Sequence, residues 1–95
     1  MSEIVRKEQS PHKGGWVIER DGERLAEMTY SMAGDKVIID HTTVSDALRG
    51  TGTGGKLVAA AVEWARASGK KILPLCPFAK SVFDKTPAYR DVLFT

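Results

Sequence analysis

The stretch RGTGTGGK, Arg49 to Lys56, sets four glycines into six positions between two runs of opposite texture. Upstream, KVIIDHTTV (36–44) is dense in β-branched residues and reads as a central strand. Downstream, Leu57, Ala60, Ala61, Trp64 and Ala65 recur at helical spacing, with Lys56, Glu63 and Arg66 off that stripe. Gly69 ends this run in the left-handed position that glycine adopts cheaply. A strand that enters a helix through such a loop offers free amide N–H groups at the positive end of a helix dipole. That is an anion site, and glycine leaves no Cβ atom to hold a phosphate away from it. A tight turn alone needs fewer glycines than this. The stretch therefore calls for a strand–loop–helix unit with a ligand lying against its backbone.

The remaining chain supplies the frame. IVRKEQS (4–10) alternates loosely and predicts an edge strand, followed by turn chemistry in SPHKGG (10–15). WVIERDGERLAEMTYSMA predicts a hairpin about Asp21-Gly22, with Trp16, Ile18, Leu25 and Met28 or Tyr30 at its apolar positions. AGDK (33–36) makes the next turn, so the first 44 residues predict a four-strand antiparallel meander. After the helix, KKILPLC (70–76) is a short apolar strand. Pro74 cannot donate to a ladder and places it at an edge or beside a gap. PFAKSVFDKTP predicts a short helix between Pro77 and Pro87, and the tail is expected to pack back through Tyr89, Val92 and Phe94. The order β-β-β-β-α-β-α gives one α/β (α+β) domain over residues 1–95. It is a meander continued by a right-handed β-α-β crossover with parallel flanking strands.

Composition removes several functions. A chain of 95 residues buries only roughly 60–65% of its unfolded surface, so its core is thin. The net charge of +2 is the difference between 14 basic and 12 acidic residues scattered along the chain, which argues against a nucleic-acid binder. One cysteine, Cys76, allows no internal disulfide and no Cys/His zinc spacing, which fits a reducing compartment. MSEIVRKEQS lacks an apolar signal core and no apolar run reaches 18 residues. The expectation is a cytoplasmic protein without membrane partners, monomeric or weakly homodimeric, with no metal site.

Three phosphate-binding patterns overlap on the loop. Gly50, Gly55 and Lys56 fit the nucleotide P-loop, but the magnesium-holding Ser or Thr is replaced by Leu57. Gly50, Gly52 and Gly55 fit the dinucleotide fingerprint, but KKILPLC lacks the acid that would hold a ribose. The third pattern is an acyl-CoA site. TVSDALRGTGTGGKLVAAAVEWARASG resembles the acetyl-CoA-binding core of the GNAT N-acetyltransferase superfamily, whose loop is Q/R-x-x-G-x-G/A. Arg49, Gly52 and Gly54 fill those positions, and Val44 matches the valine that ends the preceding strand. The short length, DHTTV before the loop and CPF after the next strand resemble a small, truncated GNAT-like subfamily, over about residues 15–90.

The resemblance implies acetyl-CoA as cofactor and an amine, small or a protein lysine, as acceptor. Amides of Arg49, Gly50, Thr51, Gly52, Thr53, Gly54 and Gly55 would hold the pyrophosphate. Main-chain groups of Thr43 and Val44 would pair with pantetheine as an added strand does, which requires the strands ending at Val44 and Cys76 to splay. Lys56, Lys80 or Lys85 would reach the 3′-phosphate. Cys76 ends its strand at the start of a helix, a place that lowers a thiol pKa. It would accept the acetyl group or protonate the departing thiolate, unless it is simply a small buried residue. His41 would be the base, with Asp40 and Thr42 on the opposite face; Asp40 and Asp46 are weaker base candidates, and Tyr89 is a candidate acid. The alternative is a non-catalytic acyl-CoA-binding module.

Overall fold

A computed structural model describes residues 4–94. Its strands are β1 (Val5–Ser10), β2 (Lys13–Arg20), β3 (Glu23–Ala33), β4 (Lys36–Val44) and β5 (Lys71–Pro74). Helix α1 spans Thr53–Ser68 and α2 spans Pro77–Lys85. Short 3₁₀ segments cover Asp46–Leu48 and Pro87–Val92. The five strands lie in the order β1-β2-β3-β4-β5. The first three pairings are antiparallel and β4 pairs β5 in parallel across the α1 crossover. Asp21 and Gly22 both take positive φ, 52° and 80°, as a two-residue hairpin turn that matches strand twist requires.

Both helices pack on one face of the sheet. From the strands, Trp16, Met28, Tyr30, Val37, Ile39 and Ile72 enter the core, and Leu57, Val58, Ala61, Val62 and Ala65 meet them from α1. The buried stripe is thus rotated from the predicted one: Val58 and Val62 are buried, whereas Ala60 and Trp64 are partly exposed. Trp64 has a different task. It closes an aromatic trio with Trp16 and Tyr30, at centroid separations of 4.8 to 5.8 Å. The Arg6 guanidinium lies 4.7 Å over the Trp64 ring and donates to Tyr30 Oη at 2.7 Å. This contact ties the edge strand to the core, since β1 is exposed along its whole length.

Two further expectations are corrected. The turn after β1 is confined to Pro11 and His12, and Gly14 and Gly15 belong to β2. Both glycines are there for close packing: a Cβ on Gly14 would lie 2.5 Å from Lys7 O and 2.6 Å from Tyr30 Oη. In the tail, Val92 is buried and Tyr89 sits edge-on to Phe83 at 5.8 Å, but Phe94 is exposed. Only the Phe94 backbone joins the fold, donating to Ile72 O at 2.8 Å, and its ring lies under Lys36 Nζ. No helix among the described residues is long and apolar enough to cross a membrane.

Candidate active site

The splay begins at one residue. β4 and β5 pair only from Lys36 to Ile39, opposite Lys71 to Pro74. Directly after Ile39 the β3–β4 ladder slips: Tyr30 faces Ile39 and Thr29 faces His41, leaving Asp40 without a partner. Such a bulge bends and twists its strand. Pro74 has no N–H to extend the parallel ladder, and the N–H groups of Leu75 and Cys76 both turn onto Ile39 O at 3.1 Å. Beyond this point β4 runs on to Val44 without a neighbour on the β5 side.

The glycine loop opens onto the gap. Gly52 takes the left-handed conformation, φ 76° and ψ 15°, and caps α1. The first helical hydrogen bond runs from Lys56 N–H to Gly52 O, so the amides of Thr53, Gly54 and Gly55 have no acceptor within the helix. The hydroxyls of Thr51 and Thr53 meet at 2.6 Å, and Thr51 donates to Leu48 O, which fixes the loop from behind. The result is a cleft of about 360 Å³ lined by Thr42, Val44, Leu48, Arg49, Phe78 and the loop glycines. Among the described residues the Arg49 side chain makes only an exposed ion pair, to Asp46, so its guanidinium is available at the rim.

Cys76 stands where β5 ends and α2 begins. It is the residue before Pro77 at the first helical position and is buried. Its Sγ lies 3.5 Å from Thr42 Oγ1, across the gap on β4. Burial pushes its thiol pKa up, but the Ala79 and Phe78 amides of the first turn and the Thr42 hydroxyl favour the thiolate more strongly. The net position is below the ordinary thiol range.

The other predicted residues separate. Thr42 and Val44 turn toward the cleft, whereas Thr43 is exposed beside Ser45 and Leu25. His41 is exposed and lines a different cleft of about 420 Å³, with Gln9, Lys13, Ser31 and Asp40. Asp40 therefore shares the His41 cleft instead of pointing away, because the bulge removes strict alternation at that residue. Lys56 lines a larger cleft, about 720 Å³, behind the loop between β2 and α1. That cleft holds none of the loop glycines, so its size does not make it the better anion site. Lys80 is exposed in an ion pair with Asp84 at 3.6 Å, and Tyr89 packs on Phe83. Sequence reasoning missed Thr42 and Phe78. The Phe78 ring covers Gly54, where an added Cβ would lie 2.4 Å from it; the phenylalanine of CPF was the available signal.

A family model described as GCN5-related N-acetyl-transferase matches residues 15–92. The solution structure of a Staphylococcus aureus protein assigned as a GCN5-like N-acetyltransferase shares 40% identity over 99% of this chain and 91% of its own, with a TM-score of 0.71. A ribosomal-protein-alanine N-acetyltransferase from Brucella melitensis has the same fold at 15% identity, with a TM-score of 0.66 over 81% of this chain and 64% of that one. A Bacillus anthracis protein assigned as a streptothricin acetyltransferase, solved with acetyl coenzyme A, gives 0.57 at 19% identity over 70% and 39%. No curated protein matches the chain.

Proposed function

The chain belongs to the GCN5-related N-acetyltransferase family, and we propose that it binds acetyl-CoA in the glycine-loop cleft and passes the acetyl group to an amine. The observation that carries this reading is the continuity of the cleft. Acceptorless amides at the start of α1 lie at one end, and the unpaired run of β4 leads from there to Thr42, whose hydroxyl lies 3.5 Å from Cys76 Sγ. In this reading the amides of Thr53, Gly54 and Gly55 hold the pyrophosphate, with the Arg49 side chain adding charge from the rim, while the Arg49 and Thr51 amides stay on Asp46 O and Leu48 O within the loop. The bare edge of β4 near Thr43 and Val44 offers its main chain to the pantetheine amides. Lys56 and Lys80 reach the 3′-phosphate from outside the cleft.

Pantetheine lying along β4 delivers the thioester to the level of Ile39, beside Cys76. Two roles fit the thiol there. As thiolate it attacks the acetyl carbon, forming a Cys76 thioester and releasing the CoA thiolate; the amine then attacks that thioester and restores Cys76. As thiol it hands its proton to the CoA thiolate when the amine attacks directly. His41, exposed on the other side of β4, takes the proton that the amine loses in either route. The lone cysteine suits a reducing, cytoplasmic setting.

Calorimetry with CoA, acetyl-CoA, ATP and NAD tests the binding claim. Binding of the two CoA species and of neither nucleotide is expected. Failure to bind CoA overturns the reading, and CoA binding without turnover of any amine would leave a carrier or sensor module in its place. Cys76→Ala and His41→Ala are expected to reduce turnover while acetyl-CoA still binds.

A further inference from the structure

The cleft that holds His41 has a composition that selects among amines. We propose that it is the acceptor site and that the acceptor is a small primary amine carrying an anionic group, such as an amino acid or an amino phosphate. The inference rests on the acetyl-transfer reading above. It begins with position: Asp40 and His41 directly follow Ile39, the last residue of β4 that pairs with β5. A thioester delivered to the end of that pairing therefore arrives at their level on β4, with the two side chains on the opposite face of the strand from Thr42 and Val44. The bulge is what brings them into one cleft, since regular alternation would send neighbours to opposite faces.

The charges then divide the acceptor. Asp40 is the only carboxylate lining the cleft, and Lys13 its only lysine. One Asp40 oxygen accepts from Ser31 Oγ at 3.0 Å, which orients the carboxylate, and no described cation pairs with it. An ammonium group has a partner there, next to the imidazole that would remove its proton. Lys13 makes no ion pair among the described residues and supplies the complementary charge for a carboxylate or phosphate. Gln9 adds neutral hydrogen-bonding capacity. Within the cleft a polyamine would set its second positive charge against Lys13; the next acids, Glu8 and Glu27, line the adjoining cleft, where Glu27 is already paired with Arg24. The volume, about 420 Å³, suits a small molecule.

Initial rates of CoA thiol release test this at saturating acetyl-CoA. Each α-amino acid is compared with its decarboxylated amine, alongside spermidine and an Nα-blocked lysine amide. The amino acid of a pair is expected to have the lower KM, by about five- to tenfold. Lys13→Glu, on an exposed residue, is expected to abolish that preference with the acetyl-CoA KM unchanged. Asp40→Asn should raise KM for every amine. Amide NMR shifts of Thr29, Ser31, Asp40 and His41 on adding the amino acid to the CoA-bound protein give a readout independent of turnover. Preference for spermidine or the blocked lysine, or a preference that survives Lys13→Glu, overturns the proposal. If acetyl-CoA binds but no amine shifts those amides, the cleft is not the acceptor site. Loss of acetyl-CoA binding itself in the unaltered protein would instead remove the reading beneath it.

Discussion

Gly14 and Gly52 are the same residue used for opposite reasons. Gly14 has ordinary φ and no room: Lys7 O and the Tyr30 hydroxyl stand where its Cβ would be. Gly52 has open space around it and a φ of 76°. In β2 the absent side chain lets the protein touch itself. In the loop it leaves the amides of Thr53, Gly54 and Gly55 bare. Open space alone is not diagnostic, since the turn glycines Gly22 and Gly34 and the helix-end Gly69 share it; Gly55, with neither neighbours nor a positive φ, is the glycine left unexplained. Packing explains Gly14 completely and explains nothing about Gly52 or Gly55.

Three substitutions sharpen that contrast. The largest effect is expected from Gly52→Asp, which sets a carboxylate in the pyrophosphate's place. CoA binding should weaken by at least ~2–3 kcal/mol, a factor of ~30–150, in a protein that loses only about 1–2 kcal/mol from the left-handed φ. An unchanged dissociation constant by calorimetry removes the loop from the cofactor site. Next, Gly14→Ala forces a methyl against a backbone carbonyl. Stability should fall by about 1–3 kcal/mol, or roughly 5–20 °C in melting temperature, with CoA affinity of the folded protein untouched. The smallest effect, and the most discriminating, belongs to Gly55→Ala. This residue lies in the first turn of α1 with nothing within 4 Å of a built Cβ. The apo protein should gain up to ~1 kcal/mol from better helix propensity, while CoA binds up to about tenfold more weakly. A melting temperature and a dissociation constant that both improve would show that no ligand uses those amides.

Much of the architecture could be read from the chain because its signals were local. Asp21-Gly22, the β-branched run of β4, Gly69 and Pro77 each fix their own few residues, and the order of elements follows. What escaped depended on tertiary partners. SPHKGG reads as a turn because glycine is a turn residue, and only the Tyr30 hydroxyl, 16 positions after Gly14, shows that it is a strand. The helix stripe was rotated because Trp64 counts as apolar, yet its place is beneath Arg6 at the edge of the core. Type and spacing alone marked the glycine loop as an anion-site candidate, and the structure gives its first helical turn amides without a helical acceptor. Thr42 was not, since a threonine in a β-branched strand carries no mark of the sulfur 34 residues later that it will meet.

The bulge at Asp40 has one more consequence. It sits at the hinge of the fork between β4 and β5, beside a proline that cannot continue the ladder. Deleting this single residue would restore regular pairing with β3 and straighten β4, changing the angle of the fork while leaving the glycine loop intact; Pro74 and the start of α2 at Pro77 would still keep β5 from following it. The shape of the proposed thioester crevice thus depends on the number of residues in one strand as much as on their kinds, and a one-codon loss there would reshape it without touching the glycine loop.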